Sequence, residues 1–209
     1  MSNAFATISF TDSVKAAQTR YGSRENNQYF ERTDDPRNEL GTVEAEFIAA
    51  RDSVYMATVA ENGWPYVQHR GGPQGFIKVL DARTIGFADF KGNRQYLSVG
   101  NLNANARVSL ILMDYPNRRR LKLWGIARII HAEDDPELLT LLSLPHYRAR
   151  VERGMVIKIE AMDWNCPQHI TPRYSEAEVD KLLQPLLAEN QRLHEQVQQL
   201  GSNSILDRQ

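Results

Sequence analysis

The stretch SVYMATVAENGWPYVQHR, residues 53–70, decides the fold. Two β-rich runs flank Asn62-Gly63, and Asn-Gly between strand-like segments is the strongest short hairpin signal a sequence offers. Outward from it, "FIKVLD" (76–81) and "TIGFADF" (84–90) are two further strands around a short turn. "RVSLILM" (107–113) and "LKLWGIARII" (121–130) flank the basic turn "DYPNRRR", and "MVIKIEAMDW" (155–164) is the last strand. No regular crossover helices separate these runs. Six or seven strands joined by short turns, with helices at the margins, predict a mainly β chain folded as an antiparallel barrel with additions.

The helical signals are local. Thr42 stands as N-cap before "VEAEFIAARD", with Val43, Phe47 and Ile48 on one face. Asn93 stands as N-cap of a helix over "NRQYLSVGNLNAN" (93–105), and Asp135-Pro136 opens another over "ELLTLLSL". Residues 1–40 are polar, poor in periodicity and expected to form an irregular arm. The predicted organisation is an arm (1–40), a barrel domain (41–174) and a C-terminal helix and tail (175–209).

The tail has its own pattern. Val179, Leu183, Leu186, Asn190, Leu193, Val197 and Leu200 recur at alternating spacings of four and three, a heptad seam with Asn190 at an a position. A self-pairing helix and an amphipathic helix lying on its own barrel both fit that pattern. Pro185 argues against an unbroken helix, because it removes a backbone hydrogen bond and crowds the preceding turn.

Composition narrows the function classes. The 209 residues carry a formal net charge of −1, which excludes a global electrostatic pull toward nucleic acid. No apolar run approaches the roughly 20 residues of a membrane span. The N-terminal "MSNAFATISFTDSV" lacks a basic region followed by an apolar core, and Cys166, the single cysteine, permits no internal disulfide. The cytoplasm is the expected compartment.

Two basic segments carry the chemistry. Gln68, His69 and Arg70 end the hairpin's second strand, next to "GGPQG", and Lys78 follows on the next strand. The glycines let the chain leave the sheet sharply and let a ligand approach the backbone. In "DFKGNRQ", Gly92 turns the chain, Asn93 caps, and Arg94 and Gln95 fall in the helix's first turn. Free N–H groups and the positive dipole end there suit a phosphate, to which Arg adds bidentate bonds. Each segment alone also reads as a solvated loop, and "GGPQGF" is not a Walker loop. In "DWNCPQHITPRY", Cys166 and His169 lack a second ligand pair, so no metal site is expected. Trp164 reads as core or interface.

Taken in order, "VQHRGGPQGF", "GFADFKGNRQ", "NANARVSLILM", "LKLWGIARI" and "NCPQHITPR" resemble the pyridoxamine 5′-phosphate oxidase-like family of FMN-binding split-barrel proteins, over residues 10–175. The resemblance implies a split barrel and a homodimer with FMN at the subunit interface. It implies a phosphate held by Lys78, Arg94 and Gln95, the last standing where the oxidases have a Lys. It matches Gln68 to a strand position that carries Arg and Asn93 to a Ser; we infer that Arg70, two residues on from Gln68, compensates. It sets Asp89 in the loop under the isoalloxazine and aligns Arg120 with a Gln that contacts the ring. Trp164, Gln168 and His169 are implied to cross from the partner subunit. The chain departs from the oxidases in having "HITPRY" where they carry an Arg-x-His substrate-phosphate segment, which argues against pyridoxamine-phosphate oxidation.

The expected function is therefore an FMN-dependent oxidoreductase of unassigned substrate, with His169 as a candidate proton donor and Arg120 tuning the ring. The electron donor (nicotinamide, deazaflavin or a redox protein) is left open. The alternative is a non-catalytic flavin- or haem-binding sensor, with His69 or His169 as axial ligand.

Overall fold

The computed structural model describes residues 3–32 and 36–206, with side chains through Gln199. Portions of the predicted arm and tail (1–2, 33–35, 207–209) and the Leu200 side chain lie outside the described set. The chain forms two compact units. One runs through Asp114 and resumes over Arg119–Gln168; the other joins Tyr115–Arg118 to the segment from His169 onward.

Seven antiparallel strands build the first unit: β1 Ser53–Val59, β2 Pro65–Gly71, β3 Lys78–Asp81, β4 Thr84–Phe90, β5 Arg107–Asp114, β6 Arg119–Ile130 and β7 Val151–Trp164. Their order in the sheet is β2-β1-β5-β6-β7-β4-β3. The period of two expected of a strand is explicit in β5, where Val108, Leu110, Leu112 and Asp114 are buried and the residues between them are not. Val54, Met56, Leu110, Leu112, Leu121, Leu123, Ile157 and Ile159 belong to one apolar core. Between β1 and β2 the Ala60 N–H donates to the Trp64 carbonyl at 2.9 Å, and Gly63 takes φ 85° in the loop so closed. The Asn62-Gly63 signal thus marks a three-residue loop, wider than a two-residue turn.

β2 and β4 stand first and sixth in the sheet order, yet Arg70 of β2 forms an ion pair with Asp89 of β4. The sheet must curl for this to happen. Its two ends meet through side chains and not through a closing ladder, which is the architecture of a split barrel.

Three local expectations are corrected. The N-terminal arm is helical: α1 Ala4–Ser9, α2 Asp12–Arg20 and α3 Arg24–Glu31. The Asn3 and Thr11 side chains cap α1 and α2, and Phe5 packs against Phe10, Phe30 and Trp124 with ring centroids 5.8, 5.8 and 5.1 Å apart. Of these contacts, Phe5 with Trp124 ties the arm to the barrel, and the other two hold the arm together. The arm and the strands fall in one compact unit. α4 Thr42–Ala49 has Gly41, not Thr42, as its N-cap, with the Gly41 N–H donating to Glu44 Oε2 at 3.0 Å. Phe47 and Ile48 are buried as expected, while Val43 is exposed. α5 spans Leu97–Ala104 and so begins four residues after Asn93. α6 Pro136–Leu142 forms as predicted, with Asp135 Oδ1 accepting from the Leu138 N–H at 3.0 Å.

In the second unit, Ser175 and Glu178 form a reciprocal cap at 2.7 and 3.3 Å, and α7 runs Glu176–Leu206. It continues through Pro185, against the expectation of a break. Pro185 and Lys181 are both exposed, so water can satisfy the carbonyl that loses its donor. No helix among the described residues is long and apolar enough to cross a membrane.

Candidate functional site

A cavity of ≈ 440 Å³ opens at one end of the first unit. Its walls are the end of β2 (Gln68, His69, Arg70, Gly71), the end of β4 with the loop after it (Phe87 to Tyr96), the first turn of α5, Tyr147, and the start of β7 (Glu152, Arg153). Four cationic side chains, Arg70, Lys91, Arg94 and Arg153, face two carboxylates, Asp89 and Glu152. Within a low-dielectric wall that imbalance selects for anions.

The centre of the site is an ion network. The Arg70 Nη1 donates to Asp89 Oδ1, and the Arg153 Nη1 stands 3.5 Å from Asp89 Oδ2. Asp89 and Arg153 are cross-strand partners, with a bulge between Asp89 and Phe90 that re-aims the strand end. Arg70, Asp89 and Arg153 side chains are each only 10% exposed. The Arg153 Nη2 also donates to Glu152 at 2.7 Å, and its guanidinium lies 4.9 Å from the Tyr96 ring centroid. Gln68 Oε1 accepts from Ser98 Oγ at 2.8 Å and from Arg70 Nη2 at 3.3 Å. Arg70 Nε is buried without a hydrogen-bond partner.

The loop from Lys91 to Tyr96 is not a helix turn. Asn93 Oδ1 accepts from the Gln95 N–H at 3.1 Å, the Asx turn that competes with helix initiation. Arg94 and Tyr96 take left-handed φ values of 63° and 55°. Such conformations cost roughly 1–3 kcal/mol for non-glycine residues and gather where function over-determines the backbone. The Tyr96 hydroxyl hydrogen bond, and then the charges of Tyr96 and Glu152, raise the pKa of the exposed Arg94 further above its ordinary value. The Phe90 and Tyr147 rings meet edge to face at 5.0 Å and supply an aromatic wall.

The "GGPQG" glycines serve packing as well as turning. A Cβ on Gly72 would come within 2.8 Å of Phe76, a core residue, and Gly75 requires φ 80°.

Gln68, His69, Arg70, Asp89, Asn93, Arg94 and Gln95 line this one cavity. The His69 ring stacks edge-on against Tyr55 at 5.4 Å. Lys78 pairs across from Gly86 and does not line the cavity. Arg120 pairs across from Met113 on β6, again outside the lining, with a buried Nε lacking a partner. The Trp164 indole N–H donates to Glu44 at 2.8 Å, and its ring packs against Phe47 at 4.7 Å. Gln168 is exposed. His169 belongs to the second unit, exposed and with φ 62°. No cluster of three His, Cys, Asp or Glu suited to a metal occurs among the described residues.

Sequence reasoning missed Arg153, Glu152, Tyr96 and Ser98. β7 begins at Val151, four residues before its apolar run, and "VERG" carries no strand signal of its own. Only the register that sets Arg153 opposite Asp89 reveals it.

The family model for pyridoxamine 5′-phosphate oxidase matches residues 42–164. No curated protein is a significant match. Among solved structures, HupZ of Group A Streptococcus is similar at 15% identity and TM-score 0.49, covering 65% of this chain and 99% of that one. The haem-storage protein HutZ of Vibrio cholerae is similar at 17% and 0.38, covering 60% and 94%. A Clostridium acetobutylicum protein related to general stress protein 26 is similar at 19% and 0.39, covering 60% and 86%.

Proposed function

The chain belongs to the pyridoxamine 5′-phosphate oxidase family, and from that premise we propose that its cavity holds FMN in a homodimeric flavoprotein oxidoreductase. The observation that carries the reading is the convergence of Arg70, Lys91, Arg94 and Arg153 on the wall of one cavity. A volume of ≈ 440 Å³ lies within the range of about 300–1,000 Å³ usual for small-molecule sites. The aromatic wall of Phe90 and Tyr147 suits a flat ring, and the arginines suit a phosphate.

Bound FMN would supply hydride-transfer chemistry. The chain's own residues do the rest. Arg94 reaches from the strained loop and Arg70 from β2 to hold the phosphate, with Arg153 and Lys91 adding charge. Asp89 fixes the Arg70 and Arg153 guanidinium planes, and Ser98 fixes the Gln68 amide. His169 is the proposed proton donor, entering from a partner subunit with Gln168. Lys78, Arg120 and Trp164 stand outside the proposed phosphate contacts. The homodimer reading is supported by the outward face of β1, β2 and β5, where Tyr55, Val59, Val67 and Ile111 are exposed apolar residues on paired strands. The substrate is proposed to be other than pyridoxamine phosphate, and the compartment the cytoplasm.

The test is the visible spectrum of the purified chain after addition of FMN and dialysis. Oxidised-flavin bands that persist are expected. A Soret band in freshly purified protein would move the case to haem, and no retained chromophore together with no FMN binding would overturn it.

A further inference from the structure

The family match ends at Trp164, and α7 lies wholly beyond it. Along α7 the residues Val179, Leu183, Leu186, Leu193 and Val197 are between 39 and 68% exposed. A polar helix of this length, about 46 Å at 1.5 Å per residue, gains most of its stability from packing an apolar stripe. We propose that α7 pairs with the α7 of a second copy of this chain as a parallel, in-register, two-stranded coiled coil, with Asn190 facing its counterpart. This interface is separate from the cofactor site and does not depend on the cofactor's identity.

Four features select that occupant. With Leu183 at a, the positions Leu183, Asn190 and Val197 are a, and Val179, Leu186 and Leu193 are d. An Asn amide buried in an apolar seam needs a complementary amide, and parallel in-register pairing supplies one from the same residue of the second copy. Antiparallel pairing sets a against d and leaves Asn190 opposite a leucine. The flanks agree, since a g residue meets the e residue five positions on in a parallel partner. That relation sets Leu182 against Leu187, both exposed apolar residues, and the Glu189 carboxylate against the His194 ring. The outward positions are occupied by Gln184, Gln191, Glu195 and Arg192, the last forked onto Glu189 at 2.6 and 2.8 Å. Pro185 falls at c, outside the seam, where its missing N–H does not interrupt knob packing.

The experiment uses the full chain carrying Cys166→Ser, so that the native exposed thiol contributes nothing. Leu186→Cys, Val197→Cys and Ala188→Cys are compared under mild oxidation, with Ala188 on the outward face. Disulfide geometry tolerates only close Cβ pairs, so the seam positions should each give at least about ten-fold more crosslinked dimer than position 188. Equal yields at 186 and 188 would overturn the proposal, as would no crosslinked dimer at either seam position. A third variant, Val179→Cys, is mixed with Val197→Cys. An adduct between those two in preference to each with itself would mean antiparallel pairing and would overturn it as well.

Discussion

Two buried Arg–Asp pairs brace the barrel, and they differ in one respect. Each of the three side-chain nitrogens of Arg51 has a partner. Its Nε donates to the Phe47 carbonyl at 3.1 Å, its Nη1 to the Met113 carbonyl at 2.9 Å, and its Nη2 to Asp114 at 3.5 Å. Phe47 covers it, with the ring centroid 4.6 Å from the guanidinium carbon. Arg70 pairs with Asp89 and Gln68, but its Nε has no acceptor and it borders a cavity. The same residue types thus make a clamp in one place and an incomplete coordination shell in the other. Burial of an ion pair alone says nothing about function. Nor does an unfilled donor, since Arg120 Nε also lacks an acceptor, away from the cavity; what sets Arg70 apart is that it lines a cavity together with Lys91, Arg94 and Arg153.

Replacing each arginine is the strongest way to break this comparison. Arg51→Met should cost about 3–5 kcal/mol in urea unfolding, since it breaks a buried ion pair and the bonds to two backbone carbonyls, and should leave the FMN dissociation constant within about two-fold. Arg70→Met should also lower stability, but should weaken FMN on the order of 100-fold, the worth of one or two charge-assisted bonds. Equal effects of both variants on FMN would erase the distinction.

Arg94→Ala sharpens it further. Arg94 is exposed on its loop, so stability should stay within about 0.5 kcal/mol. FMN affinity should fall about ten-fold while riboflavin affinity holds, as fluorescence titration can read. Asp89→Asn has a smaller and opposite effect. It removes the charge that Arg70 and Arg153 share. Unfolding should become easier by about 1–3 kcal/mol, while FMN binds a few-fold more tightly.

The smallest effect concerns Asp163, near the other end of β7. Its burial raises its pKa, with Arg37 at 3.2 Å and Lys122 only partly offsetting that. The fold therefore favours the protonated acid. Its stability contribution is present below the unfolded value of 3.8 and is lost as pH rises through the higher folded value. Asp163→Asn should gain stability relative to the native chain as pH climbs from about 4 to 7, measured by unfolding at each pH. A difference that does not change with pH would contradict this reading.

Much of the barrel is legible because its signals are local. The Asn62-Gly63 loop, the alternation in β5 and the Asp135-Pro136 cap each lie within a few residues. The site is legible only in part. Arg70, Asp89 and Arg94 stand out as charges among strand and glycine signals. Arg153 does not, because its role depends on register with a strand more than sixty residues away. Asn93 misled for a physical reason: the side chain that caps helices also closes Asx turns, and here it closes one. The N-terminal helices were hidden because Phe5, which packs on Phe30 within the arm, meets Trp124 only once the barrel has formed.

The central claim of the proposed function is that the cations converging on this cavity, Arg70 among them, hold the phosphate of FMN. Titrating FMN and riboflavin into the native chain and Arg70→Met by calorimetry tests it most directly. The account predicts FMN binding at least about 100-fold tighter than riboflavin in the native chain, with that ratio collapsing in the variant. Equal affinity for the two flavins in the native chain would contradict it.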